Sequence, residues 1–344
     1  MKSGCYTAMV TPFDGAAIDE AGLTRLADFQ IQNGITGLLA VGTTGESPTL
    51  AWQEHHRVVQ IISQHAKGKC LCIAGAGSNN TKEALSATRH AAEAGVDAVL
   101  LVDPYYNGPS SLEIRREYVS PVAAAFPDLS IIPYVIPGRT GAQLLPEDLA
   151  LLFREHPHVN TVKEATGDLD NMRRTRQCCG PEFTILSGDD GMTYEMMTDP
   201  GIAAAGVVSV VSNIVPKAMS DLVRLLAHKE LEKATALAEA LTPLFGLVTV
   251  KTVEKSPYGD VICRARNPLA LKTLMQLLGV PSGSCRPPLG KMSRAGLDGV
   301  VKIAKTVQSK NPALFSPLAE CFNVDIDARL NDERLLAGLY YPSY

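Results

Sequence analysis

The sequence predicts an α/β fold, a (β/α)8 TIM barrel with a C-terminal helical appendage, and three observations carry that expectation. Short apolar runs alternate with segments of helical periodicity as far as Ala227. Glycine-rich and polar turns recur where the runs end, which is the face on which parallel barrels assemble their sites. Beyond Ala227 the alternation stops and helical patterning takes over.

The first unit is a strand ending at Thr11-Pro12, then a helix over about 19–33 with Leu23, Leu26 and Phe29 in register and Gly34 closing it. Residues 37–41 form the second strand, and the following helix carries Trp52, Val58, Val59, Ile61 and Ile62. Strands over 70–74 and 98–102 precede helices over about 81–94 and 112–125. A strand over 130–135 leads to a helix starting near Pro146, whose fixed φ suits a first helical turn. The β-branched run from Val159 to Val162 ends in Lys163, and the last strands, 184–186 and 204–210, are followed by helices near 192–197 and 216–227. Eight such units fit a closed parallel barrel better than an open doubly wound sheet. Helical segments then follow over 230–249, 267–278 and 293–310, interrupted by a Pro/Gly/Ser-rich link over 279–290. The expected organisation is a catalytic barrel over 1–228, a helical domain over 229–314 and a C-terminal extension over 315–344. The tyrosines of that extension, Tyr340, Tyr341 and Tyr344, suit docking on its own or a neighbouring subunit, and fraying is the alternative.

Thirty-two basic against 36 acidic residues leave a net charge of -4, which provides no basic field for nucleic acid or an anionic membrane and favours a small-molecule partner. The eight cysteines lack the paired spacings of a zinc site or a disulfide framework, so reduced thiols are expected. Of Cys70 and Cys72, one is expected to face the barrel interior and the other the helices. The N-terminus has no basic start followed by a long apolar core, and no apolar run is long enough to span a bilayer; a cytoplasmic location is expected.

The chemistry centres on Lys163. A lysine in a desolvated barrel mouth loses part of its preference for charge, leaving neutral amine to attack a ketone and form a Schiff base. An ordinary surface lysine after a strand is the alternative. In Gly42-Thr43-Thr44-Gly45-Glu46 the glycines admit close backbone approach, and the hydroxyls suit carboxylate binding or proton relay, though a threonine-capped tight turn also fits. Asp103-Pro104-Tyr105-Tyr106-Asn107-Gly108-Pro109 places two phenols on a proline-stiffened loop, again compatible with turn packing. Pro133-Tyr134-Val135-Ile136-Pro137-Gly138-Arg139-Thr140-Gly141 puts a phenol at a strand end and an arginine suited to bidentate carboxylate capture on a constrained loop. Tyr134 near the lysine would move protons through carbinolamine and imine steps, with Thr44 bridging to a second phenol.

In this combination and order, from about Tyr6 to Lys310, these motifs resemble the pyruvate-dependent class I aldolases and lyases of the N-acetylneuraminate lyase superfamily, and within them the dihydrodipicolinate synthases. The resemblance implies that Lys163 forms the imine with pyruvate and that Tyr134, Thr44 and Tyr106 relay protons. It implies that Thr43 binds the pyruvate carboxylate, that Gly188 and Val208 line the pyruvate pocket, and that Arg139 holds the carboxylate of L-aspartate 4-semialdehyde. The implied reaction is a lyase-type condensation in the diaminopimelate route to lysine, with no cofactor beyond the covalent imine and no metal. Tyr106 would cross a tight dimer interface, implying a homo-oligomer, commonly a dimer of dimers. Lysine-sensitive members bind lysine as a feedback inhibitor at positions that here hold Ser47, Trp52, His55, Asn79, Glu83 and Tyr105; a helix-packed Trp52 and a solvated His55 are the alternative. Two departures stand out: Val135 where asparagine is common, and a longer C-terminus beyond about Phe315. A 2-keto-3-deoxy-sugar-acid or 4-hydroxy-2-oxoglutarate aldolase, or a non-catalytic binding protein on the same barrel, are the competing readings. Arg139 argues against the first two, and the presence of both lysine and phenol against the last.

Overall fold

The structure is a computed structural model that describes residues 1–344. Eight parallel strands close into a barrel in sequence order: β1 (Gly4–Ala8), β2 (Gly37–Ala40), β3 (Leu71–Gly75), β4 (Ala98–Val102), β5 (Ser130–Val135), β6 (Thr161–Glu164), β7 (Thr184–Ser187) and β8 (Gly206–Ser209). The closing pair is β1 with β8, in the register Tyr6 opposite Val208. A Cβ at Gly206 would overlap the Gly4 carbonyl, so only glycine lets the first and last strands come together here.

Side chains alternate between two apolar layers, as the period of a strand requires. Tyr6, Leu39, Ile73, Leu100, Ile132, Tyr134, Leu186 and Val208 fill the interior, while Val99, Ile131, Val162, Ile185 and Val207 face the surrounding helices. Those helices are α1 (Glu20–Gln32), α2 (Trp52–Ala66), α3 (Thr81–Glu93), α4 (111–125), α5 (Pro146–Glu155), α6 (Leu169–Cys179), α7 (Thr193–Thr198) and α8 (Pro216–Ala227). Ile114–Val119 within α4 has the wider π-type turn. Several helices start on a residue that satisfies their free N–H groups: Asp19 caps Gly22 of α1, Asn80 caps Lys82 of α3, and Asp168 caps Asp170 and Asn171 of α6. Cys70 and Cys72, expected on opposite faces, both pack into the outer layer. Residues two apart on an extended chain share a face, so the expectation misapplied the period.

The barrel passes into α9 (Leu231–Phe245), α10 (Leu269–Leu278) and α11 (Arg294–Lys310). The first of these ends at Phe245 rather than near residue 249. From Thr249 the chain forms a hairpin that the helical expectation had left without an element: β9 (Thr249–Ser256) pairs antiparallel with β10 (Gly259–Arg266) across a turn at Pro257-Tyr258. The signal in the sequence is β-branched content, with Thr249, Val250, Thr252 and Val253 on one strand and Val261 and Ile262 on the other, rather than an apolar-polar alternation. Val250 and Ala265 turn inward onto the core, whereas Lys251, Val253, Ile262 and Arg264 face solvent.

The C-terminal extension docks on the chain's own surface. Two short helices, α12 (Ser316–Phe322) and α13 (Ile326–Asn331), place the Phe322 ring edge-on to Phe29 of α1 at 5.3 Å. Arg329 donates to the Leu277 carbonyl at 2.7 Å, and Tyr341 N–H donates to Met292 O at 2.9 Å. No helix is long and apolar enough to cross a membrane.

One buried ion pair ties the appendage to the barrel. Lys272 of α10 donates to Glu46 Oε1 at 2.6 Å and to Thr11 O at 2.9 Å, with both side chains essentially without solvent exposure. Its ammonium also lies 4.3 Å from the Phe13 ring centre, and Glu46 Oε2 accepts from Arg286 N–H at 2.8 Å. These bonds hold Glu46 in a left-handed conformation, φ 56°, at the end of the Gly-Thr-Thr-Gly-Glu loop. Non-glycine residues adopt that region only when their surroundings fix them there.

Candidate active site

Lys163 stands on β6 with Val162 and Glu164 turned outward, which aims its own side chain into the barrel mouth. It is 5% exposed. Tyr134 occupies the paired position on β5, and the lysine Nζ lies 4.0 Å from the centre of its ring. Burial pushes the ammonium down to about 7, against the pull of the Asp190 carboxylate and with the help of the Arg139 charge. At neutral pH a substantial share of this amine is therefore unprotonated and nucleophilic. Burial likewise pushes the Tyr134 phenol up to about 12, so it stays a proton donor across the working range.

Gly188 follows β7 and makes room for the lysine. A Cβ there would sit 2.8 Å from Ala165 Cβ and 3.2 Å from Lys163 Cε. Val208 packs inside the barrel beside Tyr6, beneath the same mouth. Thr44 is 2% exposed, and its hydroxyl oxygen accepts from Asn267 Nδ2 at 2.9 Å. Thr43 lines the cleft above it.

Arg139 sits in a single helical turn, Pro137–Thr140, which ends on Gly141 at φ 66°. Its guanidinium donates only one long bond, 3.4 Å, to Asn267 O, and pairs with no carboxylate. Val135, the position where asparagine was anticipated, is fully buried in the outer layer and takes no part in the site. Tyr106 is 84% exposed and does not reach Thr44 or Tyr134 of its own chain.

A cavity of about 420 Å³ opens over this mouth. Thr43, Tyr134 and Arg139 line it together with Ser47, Trp52, His55, Glu83 and Tyr105. Asn79 is tied in through its Oδ1, which accepts from Tyr105 N–H at 2.7 Å. Lys163 is not itself a lining residue and is joined to this space through the Tyr134 ring that its Nζ faces. His55 is almost fully buried with an unpartnered Nδ1, and burial drives its pKa down to about 4, so the ring is neutral.

Some neighbours of the lysine were not anticipated. Asp190, fully enclosed, accepts from Val210 N–H at 2.9 Å and Val211 N–H at 3.1 Å through Oδ2, while Oδ1 has no partner. It follows Gly188 by two residues, so the strand-end position that singles out the glycine points to this carboxylate as well. Asn267 lies far outside the barrel in sequence, and no strand-end rule points to it.

Comparison with known proteins gives the family to which this barrel belongs. A model of the dihydrodipicolinate synthetase family matches residues 1–307. The 4-hydroxy-tetrahydrodipicolinate synthase of Trichlorobacter lovleyi is 40% identical over 310 residues, covering 89% of this chain and all of that protein. The 4-hydroxy-tetrahydrodipicolinate synthase structure from Methylacidiphilum fumariolicum superposes with a TM-score of 0.83 at 35% identity, covering 92% of this chain and 100% of that one. The lysine-bound structure from the Cyanidioschyzon merolae relative gives a TM-score of 0.80 at 32% identity, over 89% and 98% of the two chains. Barrel, sequence and match all agree: the chain belongs to the dihydrodipicolinate synthetase family.

Proposed function

We propose that this chain is a 4-hydroxy-tetrahydrodipicolinate synthase that condenses pyruvate with L-aspartate 4-semialdehyde through an imine on Lys163. The observation that carries this reading is the position of Lys163 Nζ, buried and without a counter-ion contact, 4.0 Å from the Tyr134 ring centre. The neutral amine adds to the pyruvate ketone, and loss of water from the carbinolamine gives the imine. Removal of a methyl proton forms the enamine, which attacks the aldehyde carbon and makes the new C–C bond. The α-amine of the semialdehyde portion then attacks the imine carbon, closing the ring and expelling the lysine amine. Tyr134 is the proton donor and acceptor nearest these steps, with Thr44 behind it.

Thr43 holds the pyruvate carboxylate in this scheme, Gly188 and Val208 shape the pocket beneath it, and Arg139 receives the carboxylate of the aldehyde. The high exposure of Tyr106 fits a phenol handed to a second copy of the chain, which makes the working unit a homo-oligomer, a dimer of dimers in the fullest form. The expected setting is the cytoplasm. The decisive experiment is borohydride trapping: a pyruvate-sized mass increase on Lys163, with turnover of aspartate semialdehyde that collapses in Arg139→Ala. Trapping with turnover only of sugar-derived aldehydes would move the enzyme to a sister activity, and no adduct would overturn the catalytic assignment.

A second site is favoured by one observation. Ser47, Trp52, His55, Glu83 and Tyr105 line the same cavity, with Asn79 fixing Tyr105. Glu83 and the neighbouring hydroxyls suit an amino-acid zwitterion, and the relative from Cyanidioschyzon merolae binds lysine. Lysine is therefore the proposed feedback inhibitor. Activity unchanged at millimolar lysine would refute this.

A further inference from the structure

The β9–β10 hairpin ends at Arg266, one residue before the asparagine that contacts Thr44. Both Nη atoms of Arg266 donate to Gly138 O at 3.4 Å, beside Arg139. Arg139 Nη2 in turn donates to Asn267 O at 3.4 Å, beside Arg266. Each guanidinium thus rests on the backbone next to the other. Neither is paired with a carboxylate, in contrast to Arg115, Arg173 and Arg286, which each hold an acid at 2.6–2.8 Å.

A guanidinium carries five N–H donors. Bonds at 3.4 Å are at the weak end of the range, so most of the donors on this pair are unspent. Two like charges side by side repel, and Arg266 is one of the groups that make charge on Arg139 less favourable. An anion between them removes that repulsion and satisfies the free donors together. A carboxylate, with two oxygens and about four lone-pair directions, is the simplest group that can take both.

We propose that Arg266 is a second specificity-determining residue, which together with Arg139 grips the carboxylate of the acceptor aldehyde. This rests on the condensation proposed above and names a contact that the barrel itself does not provide, since Arg266 comes from the appendage hairpin. The site then selects anionic aldehydes over neutral ones of the same length, and binding of the acceptor weakens with salt.

The test compares wild type, Arg266→Ala and Arg266→Lys. In Arg266→Ala the KM for aspartate semialdehyde rises about tenfold while kcat and the rate of borohydride trapping with pyruvate change less than about twofold. Arg266→Lys recovers part of the loss. An unchanged aldehyde KM overturns the proposal, and so does a parallel fall in pyruvate trapping, which would mark Arg266 as a brace for the Arg139 turn. Calorimetric titration of the pyruvate-loaded protein with succinate gives a readout independent of turnover: binding is salt-sensitive in wild type and about tenfold weaker in Arg266→Ala. Absence of such binding in wild type, or equal binding by both proteins, overturns the role of Arg266. If wild type binds succinate in this way yet does not turn over aspartate semialdehyde, the arginine pair stands and the condensation falls.

Discussion

The side-chain amide of Asn267 donates to the Thr44 hydroxyl at 2.9 Å, joining residues 223 positions apart in the sequence. An amide nitrogen only donates, so the Thr44 oxygen accepts here and its own proton must point away from Asn267. In the proposed relay the appendage therefore sets the direction in which Thr44 passes a proton. Asn267→Ala frees that hydroxyl to rotate. Its kcat should fall about tenfold, equivalent to about 1.4 kcal/mol, with a smaller change in the KM for pyruvate. Steady-state kinetics on the folded variant decide this, and an unchanged kcat would remove Asn267 from the relay.

The depressed ammonium of Lys163 sets a pH dependence. Its nucleophilic form is the neutral one, so the initial rate of imine formation with pyruvate rises with pH through about 7 and levels above it. A lysine with an ordinary pKa would still be gaining rate beyond pH 9. Timed borohydride quenching followed by mass measurement gives the profile, and Lys163→Met gives no adduct at any pH. The same shift has a stability counterpart. Because the folded-state pKa lies below the unfolded one, the unfolded chain binds the extra proton between about pH 7 and 10, and this group's contribution to stability increases as pH rises through that window.

Lys272 and Glu46 form a buried ion pair in which removal of one partner strands the other. Lys272→Met should cost about 3–5 kcal/mol, read from the denaturant midpoint. Replacing both, as Lys272→Met with Glu46→Leu, should recover part of that stability, since an apolar pair tolerates burial. Activity should not recover with it, because the loop bearing Thr43 and Thr44 loses the bonds that hold its left-handed turn. A double variant as active as wild type would contradict the positioning role.

Tyr106 gives a test of assembly. Tyr106→Phe and Lys163→Met should each be inactive, and unfolding and refolding the two together should restore about a quarter of wild-type activity. In a random two-subunit mixture, half the dimers carry both variants and one of their two sites has a wild-type lysine facing a wild-type phenol. No recovery on mixing would place Tyr106 outside a shared site.

The barrel and the placement of its candidate site residues were legible because both follow short-range rules. Strand runs with β-branched residues, helix caps such as Asp19 and Asp168, and the placement of Lys163, Tyr134 and Arg139 at strand ends can each be read within a dozen residues. What escaped depends on contacts over long distances or on competition between patterns. Asn267, Arg266 and Lys272 reach the mouth from the appendage, and nothing in their local sequence says which loop they meet. The hairpin is hard to read for another reason: Val250 and Val253 are three residues apart and fall on opposite faces, so its eight-residue strand shows no apolar period of two. The cysteine error came from the rule being misapplied, since Cys70 and Cys72 share a face by their spacing alone.

The Glu46–Lys272 bond also orders events during synthesis. A ribosome delivers the chain from its N-terminus, and Lys272 appears 226 residues after its partner. Through that interval the strands of the barrel can pair while Glu46 remains in water and its loop stays unlocked. Closure of the barrel and locking of this loop are then expected at separate moments, and a nascent chain stalled after the eighth strand is expected to hold Lys163 in place with the Gly-Thr-Thr-Gly-Glu loop still unlocked.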